Sequence, residues 1–201
     1  MNQNISPLLN FLSDFVLEKS GVKVLASSIE LETAFMATFL DRRVWNDDVT
    51  HDAVFDDIIS YQVDLAVFIY RLGSSLSGTA SDGDLKKLHG WSRRDCGCEI
   101  YFSTQIDAGL RIVHGLGTVV GSRHRIGRCF TIYQGVTVGH RSSGEAGSII
   151  EDNVTLFTGS SVIGSVTIGE NSTIGAHCLV TRDVSPGTVV SLTRAKAASE
   201  P

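Results

Sequence analysis

The chain has 201 residues, enough for one domain or two small ones with a sizeable buried core. Hydrophobic residues make up 42% and charged residues 19%, as in an ordinary globular protein. The formal net charge of −5 excludes a global basic field that would hold nucleic acid or an anionic membrane, so an anionic substrate needs a local basic cluster.

The first ninety residues have the apolar spacing of helices. It predicts helices over 8–16, 29–40 and 51–76, the first of them behind Ser6-Pro7, a cap and first-turn proline. A short helix over 83–88 is predicted from the Ser81-Asp82 cap signal.

From Ile100 onward glycine and β-branched residues dominate, and aliphatic residues recur every six positions. A period of six is neither helical nor the alternation of an ordinary sheet. It is typical of a solenoid in which each hexad is one short strand and a turn, whereas turns of a β-sandwich recur every 8–12 residues. The positions follow this rule with a two-residue phase slip after Ile112 and an insertion after Val138: Ile100, Ile106, Ile112, Val120, Ile126, Ile132, Val138, Ile150, Leu156, Val162, Ile168, Ile174 and Val180.

Nothing in the sequence predicts a membrane span or an export signal. No apolar run reaches the ~20 residues of a membrane helix, and the N-terminal stretch lacks the cationic region of a signal peptide. Cys96, Cys98, Cys129 and Cys178 show no paired CxxC spacing, which predicts free thiols in a reducing cytoplasm. We therefore expect a cytoplasmic protein with neither membrane nor nucleic-acid partners.

Three stretches carry a family resemblance. They are GCEIYFSTQIDAGLRIVHGLGTVVG over 97–121, FTIYQGVTVG over 130–139 and VTLFTGSSVIGSVTIGENSTIGAHCLVTRDVSPGTVV over 154–190. The segment resembles the hexapeptide-repeat acyltransferases and, among them, the serine acetyltransferase group. The sequence pattern predicts an α+β chain with a helical N-terminal region over 1–92, a solenoid over 93–190 and a tail over 191–201. The resemblance implies that the solenoid is a left-handed parallel β-helix. It also implies a homotrimer with acyl-CoA in the groove between neighbouring prisms, and leaves hexamer formation open.

The resemblance assigns the catalytic histidine to His114 and its carboxylate partner to Glu99, where the family's usual residue is aspartate. An imidazole suits the task, because a hydroxyl or amine must lose a proton as it attacks the thioester. A carboxylate on the other ring nitrogen would fix the tautomer and stabilise the imidazolium. Their fifteen-residue separation is close to one prism turn, so we expect the two side chains to stack on neighbouring coils.

Two positions depart from the pattern for binding serine. Val113 replaces the aspartate that holds the amino group in the family. The loop over 139–150 lacks the Arg-His pair that meets the carboxylate, although His140-Arg141 could supply a displaced cation or simply be solvated. A site that loses such polar partners usually loses specificity by orders of magnitude. We therefore expect a small amino-acid-like acceptor other than free serine, together with Val113, His140 and Arg141 as the substrate-binding residues.

The resemblance implies acetyl-CoA as co-substrate and no metal. It places Thr158, Gly159 and Ala176 at the pantetheine-contacting turns. Arg194 and Lys196 are candidates for the nucleotide phosphates, since guanidinium and ammonium groups bind phosphate well.

Three alternatives stay open or are discounted. A metal-dependent enzyme of γ-type carbonic anhydrase character needs histidines a few residues apart, but His114, His124, His140 and His177 are separated by ten, sixteen and thirty-seven residues. A sugar, polysaccharide or antibiotic-tailoring acetyltransferase would also use one histidine. A non-catalytic trimeric scaffold would need neither Glu99 nor His114.

Overall fold

The computed structural model describes residues 5–25 and 27–192. Helices occupy the first half of this part of the chain and short strands the second, which confirms the predicted helical region followed by a left-handed parallel β-helix. The hydroxyl of Ser81 accepts a hydrogen bond from the amide of Asp84, so the predicted cap is formed. The helices are α1 (Ser6–Ser20), α2 (Ile29–Arg43), α3 (His51–Ser60), α4 (Gln62–Leu76) and α5 (Asp82–Trp91), followed by a π-helix (Ser92–Cys96).

The stretch over 51–76 is two helices instead of the single one expected from its apolar spacing. Tyr61 is extended, with φ −125° and ψ 119°. Its amide still donates to the carbonyl oxygen of Asp57, which ends α3, and α4 begins at the next residue in a new direction. Both helices bury apolar residues, and no glycine or proline marks the break. Apolar spacing therefore could not reveal the bend.

The β-helix consists of three parallel sheets with strand orders β1-β4-β7-β10-β13, β11-β8-β5-β2 and β14-β12-β9-β6-β3. Every strand pair in the described residues is parallel and joins equivalent positions of successive coils. The strands are β1 (Glu99–Ile100), β2 (Gln105–Ile106), β3 (Arg111–Val113), β4 (Val119–Val120), β5 (Arg125–Ile126), β6 (Thr131–Tyr133), β7 (Thr137–Gly139), β8 (Ile149–Ile150), β9 (Thr155–Leu156), β10 (Ser161–Ile163), β11 (Thr167–Ile168), β12 (Thr173–Ile174), β13 (Leu179–Val180) and β14 (Val189–Val190).

The six-residue aliphatic positions line the interior of the prism. All thirteen are buried, from Ile100 to Val180. Burying one such side chain contributes about 1.5–3 kcal/mol, so this column supplies much of the driving force for the coils. The two-residue phase slip enlarges one corner: Glu99 pairs with Val119, twenty residues on, whereas Ser161 pairs with Leu179, eighteen residues on.

A buried ion pair joins the helical region to the first coil. Arg71 of α4 donates to both carboxylate oxygens of Asp41 of α2 at 2.8 Å. The same carboxylate accepts the amides of Gly109 and Leu110 at 2.7 and 3.0 Å, and Arg71 also donates to the carbonyl oxygen of Ile106. The helices are thereby held against the segment that leads into β3.

The four cysteines are free, in agreement with the prediction of free thiols, and Cys96, Cys98 and Cys178 are buried. Burial raises the pKa of the Cys96 thiol to about 12 and that of Cys98 to about 11, so neither forms a thiolate readily. None of the helices in the described part is long and apolar enough to cross a membrane.

Candidate active site

His114 begins the enlarged corner that follows β3. It is exposed and has a left-handed backbone with φ 64°, and Gly115 and Gly117 continue the turn with φ 68° and 73°. The corner is anchored by hydrogen bonds from the amide of Gly117 to the carbonyl oxygen of Gly97 and from that of Glu99 to Thr118. Other non-glycine corner residues of the prism also have positive φ. The conformation of His114 is therefore a property of these corners and displays the imidazole outward.

A cavity of about 810 Å³ lies beside His114, between the helices and the first coil. Its floor is β3 and its walls are the end of α2 and the junction of α3 with α4. The indole nitrogen of Trp45 donates to the carbonyl oxygen of Gly109 at 3.1 Å, which fixes one wall. On the other side, a Cβ placed on Gly115 would lie 3.7 Å from Val63 of α4. Its lining includes Trp45, Tyr61, Asp64, Arg111, Val113 and His114.

Glu99 does not stack on His114 as expected, because the coil at this level is longer than fifteen residues. Its register partner is Val119. Its carboxylate lies 3.6 Å from Nη1 of Arg93 and 4.0 Å from Nδ1 of His89, and within the described residues it makes no hydrogen bond to His114. Burial lowers the pKa of His89, and the charge of Glu99 opposes that shift. The two predicted catalytic residues thus share one corner region without direct contact in the single chain.

The structure separates the predicted substrate-binding residues. Val113 lines the cavity, whereas His140 and Arg141 do not. His140 stacks on His124 with ring centroids 4.7 Å apart, and its Nε2 is 2.8 Å from the carbonyl oxygen of Ser122. The Arg141 guanidinium donates to the carbonyl oxygen of Thr181. Within one chain, therefore, neither His140 nor Arg141 lines the cavity beside His114, although the hypothesis of a displaced cation requires it.

The predicted pantetheine residues lie on the same prism edge as His114. The strands β3, β6, β9 and β12 stack in one sheet, and their C-terminal ends form a column of corners. His114 follows β3, Thr158 and Gly159 follow β9, and Ala176 follows β12. The amide of His177 donates to the carbonyl oxygen of Thr158, which ties successive corners together. Arg194 and Lys196 lie outside the described residues.

Sequence reasoning missed the helical wall of the cavity. Asp64, in the first turn of α4, has a side chain that is only 5% exposed, and its Oδ1 accepts from Nη1 of Arg42 at 2.7 Å. Burial raises the pKa of Asp64, while Arg42 opposes the shift. On β3, the guanidinium of Arg111 lies 5.3 Å from the ring centroid of Trp45. The one feature of the sequence that could have revealed this wall is Asp64, an aspartate within an otherwise apolar helix face.

Over residues 5–25 and 27–192, no group of three or more histidine, cysteine or acidic side chains could hold a metal ion. The site offers an exposed imidazole, a cavity with charged walls and an edge of small corner residues. This set is suited to proton transfer on a bound small molecule.

Comparison with known proteins identifies the fold and the family. The family model for bacterial transferase hexapeptide (six repeats) matches residues 147–182. A serine acetyltransferase of Neisseria gonorrhoeae, solved in complex with serine, superposes with a TM-score of 0.74 at 22% identity, covering 98% of this chain and 85% of that chain. A serine acetyltransferase of Brucella abortus strain S19, solved in complex with coenzyme A, has a TM-score of 0.71 at 19% identity, covering 96% and 81%. These two structural similarities show that the chain shares the fold of these proteins.

Closer relatives are found by sequence. A serine acetyltransferase of Bacillus subtilis (strain 168) is 32% identical over 143 residues, covering 70% of this chain but only 66% of the relative. One of Staphylococcus xylosus is 43% identical over 99 residues, and the chain spans 46% of its length. One of Helicobacter pylori (strain ATCC 700392 / 26695) is 30% identical over 156 residues, covering 77% of this chain and 91% of the relative. Because this last match includes nearly the whole relative, the chain belongs to the serine acetyltransferase family.

Proposed function

We propose that this protein transfers an acetyl group from acetyl-CoA to a small amino-acid acceptor, with His114 as the general base. The observation that carries the proposal is the position of His114, which faces the cavity and also heads the column of corners that contains Thr158, Gly159 and Ala176. An acceptor in the cavity and a thioester along this edge would meet at one imidazole.

The chemistry follows from that meeting point. The acceptor hydroxyl attacks the thioester carbonyl carbon while His114 removes its proton. The tetrahedral intermediate then collapses, the carbon–sulfur bond breaks, and the imidazolium returns the proton to the departing thiolate. The products are an acetyl ester and free CoA. Glu99 contributes a negative charge in the same corner region, where it favours the imidazolium.

The names of the relatives support L-serine as the first acceptor to test. The solved Neisseria gonorrhoeae relative holds serine, and the relatives cited above are serine acetyltransferases. The expectation of an acceptor other than serine rests on Val113 and on the loop over 139–150, and none of these relatives supports it. O-acetylation of serine or of a close analogue is therefore the proposal.

Two further predictions belong to the same proposal. Exposed apolar side chains on the prism, among them Leu179 and Val189, favour the predicted homotrimer, because association would bury them. The cytoplasmic location is supported by the four free thiols. Trimer and hexamer can be separated by light scattering on the purified protein.

The proposal is tested by following CoA release from acetyl-CoA with L-serine and other hydroxy and amino acids as acceptors. His114→Asn removes the base but keeps a residue that tolerates the left-handed corner. We expect kcat to fall by about 10²–10⁴-fold. Arg123→Asn makes the same exchange at another left-handed corner (φ 65°) and should leave kcat within about twofold of wild type. A wild type that acetylates none of these acceptors, or a His114→Asn protein of normal activity, contradicts the proposal.

A further inference from the structure

The cavity beside His114 contains a buried carboxylate oxygen with no hydrogen-bond donor. Asp64 lines the cavity, and its side chain is 95% removed from solvent, being 5% exposed. Its Oδ1 is held by Arg42, whereas its Oδ2 is buried and has no hydrogen-bond partner in the described part of the chain. A buried acceptor left without a donor is costly, more so when it carries charge. The wall therefore presents an oxygen suited to a cationic donor.

The same cavity contains a guanidinium that no carboxylate neutralises. Arg111 lies on β3, three residues before His114, and packs over the ring of Trp45. It forms no ion pair with any carboxylate among residues 5–25 and 27–192. Its planar set of donors matches a carboxylate in two-point contact.

The other charged groups that line the cavity are already committed. Asp41 accepts from Arg71 and from two backbone amides. Arg42 donates to both Asp57 and Asp64. The Oδ2 atom of Asp64 and the guanidinium of Arg111 therefore remain free to bind a ligand, and they carry opposite charges.

We propose that Asp64 and Arg111 bind the two charged ends of a zwitterionic amino acid, with the ammonium on Asp64 Oδ2 and the carboxylate on Arg111. The inference rests on the proposed function and deepens it, because the third group of the amino acid, its hydroxyl, is then directed towards His114. These two residues replace the ammonium and carboxylate contacts that are lost at Val113 and in the loop over 139–150. A neutral sugar would leave both charges unmatched.

The test is calorimetric titration of the full-length protein with L-serine, L-threonine and L-homoserine in the absence of acetyl-CoA. The variants are Arg111→Gln and Asp64→Asn. Each should weaken binding about 10- to 100-fold, as expected for loss of one charge-assisted hydrogen bond. Asp57→Asn is the matched control for Asp64, because Asp57 contacts the same Arg42 but does not line the cavity. Arg125→Gln is the control for Arg111, and both controls should stay within about threefold.

Ligands that lack one charge separate the two contacts. Ethanolamine has no carboxylate, so Arg111→Gln should not weaken its binding further, whereas Asp64→Asn should. The compound 3-hydroxypropionate has no ammonium and should show the reverse. Arg111 has no ion-pair partner whose loss could unfold the chain, so its comparison between L-serine and ethanolamine decides the question even where Asp64→Asn folds poorly.

The outcomes distinguish this inference from the proposed function. Amino-acid binding that both variants weaken, without any CoA release, keeps the binding site and refutes the acetyl transfer. Normal CoA release with unchanged affinity in both variants refutes the roles of Asp64 and Arg111 and leaves the acetyl transfer standing. A wild type that binds none of the three amino acids also overturns the inference.

Discussion

Replacement of Asp41 by alanine should be among the most damaging single changes to this protein. The Asp41 carboxylate is 1% exposed and its partner Arg71 is 12% exposed. The carboxylate accepts two hydrogen bonds from Arg71 and one each from the amides of Gly109 and Leu110. Its removal leaves one buried cation unpaired and two buried amides without acceptors.

The expected loss in the free energy of unfolding is about 3–5 kcal/mol, the cost of breaking a buried pair by removing one partner. Asp57→Ala provides the comparison, because Asp57 pairs with Arg42 at a site where both side chains are 36–43% exposed. Such an exposed pair contributes about 0–1 kcal/mol. The two changes remove the same chemical group, so their difference measures the burial of the Asp41 pair together with its additional hydrogen bonds.

Urea unfolding followed by circular dichroism, at one fixed protein concentration, measures both values. The double variant Asp41→Ala/Arg71→Met should recover part of the loss, because it removes the unpaired cation. A loss for Asp41→Ala below about 1 kcal/mol, or one equal to that of Asp57→Ala, would contradict a strongly stabilising role of the buried pair.

Two further changes probe the prism. Burial, together with the charges of His140 and Arg123, lowers the pKa of His124 from 6.5 to about 4. The unfolded chain therefore binds a proton below about pH 6.5 that the folded chain does not bind until about pH 4. As the pH is lowered from about 6.5 to about 4, the free energy of unfolding should fall by up to about 3 kcal/mol. The urea midpoint of His124→Gln should not show this pH dependence, and parallel pH profiles for variant and wild type would contradict the assignment to His124. Gly147→Ala places a Cβ 1.9 Å from the carbonyl oxygen of Arg123 and should cost about 1–3 kcal/mol or more in urea unfolding. Gly83→Ala, in an open helical position, should instead stabilise by about 0.5–1 kcal/mol, and equal effects at the two glycines would refute the steric explanation.

The sequence alone determined the β-helix, because a prism with three faces must place an aliphatic side chain inward at each strand. Because every strand requires such a side chain, the requirement appears in the sequence as a period of six. All thirteen predicted positions are buried. It also marked His114 as the candidate base through the block around it, and the cap at Ser81 through local hydrogen-bonding chemistry. At the start of α1 only the first-turn proline was correct, because Ile5 is the N-cap there and no side chain caps the helix. These features depend on neighbours within a few residues of each other.

Only the tertiary structure decided what surrounds His114. The register of Glu99 depends on the length of a whole coil, which the enlarged corner extends to twenty residues. Asp64 comes within reach of the cavity because α4 bends away from α3 at Tyr61 and is clamped to the first coil through Arg71. Contacts between residues fifty positions apart leave no periodic trace in the chain, so the charges that line this site could be found only in the folded protein.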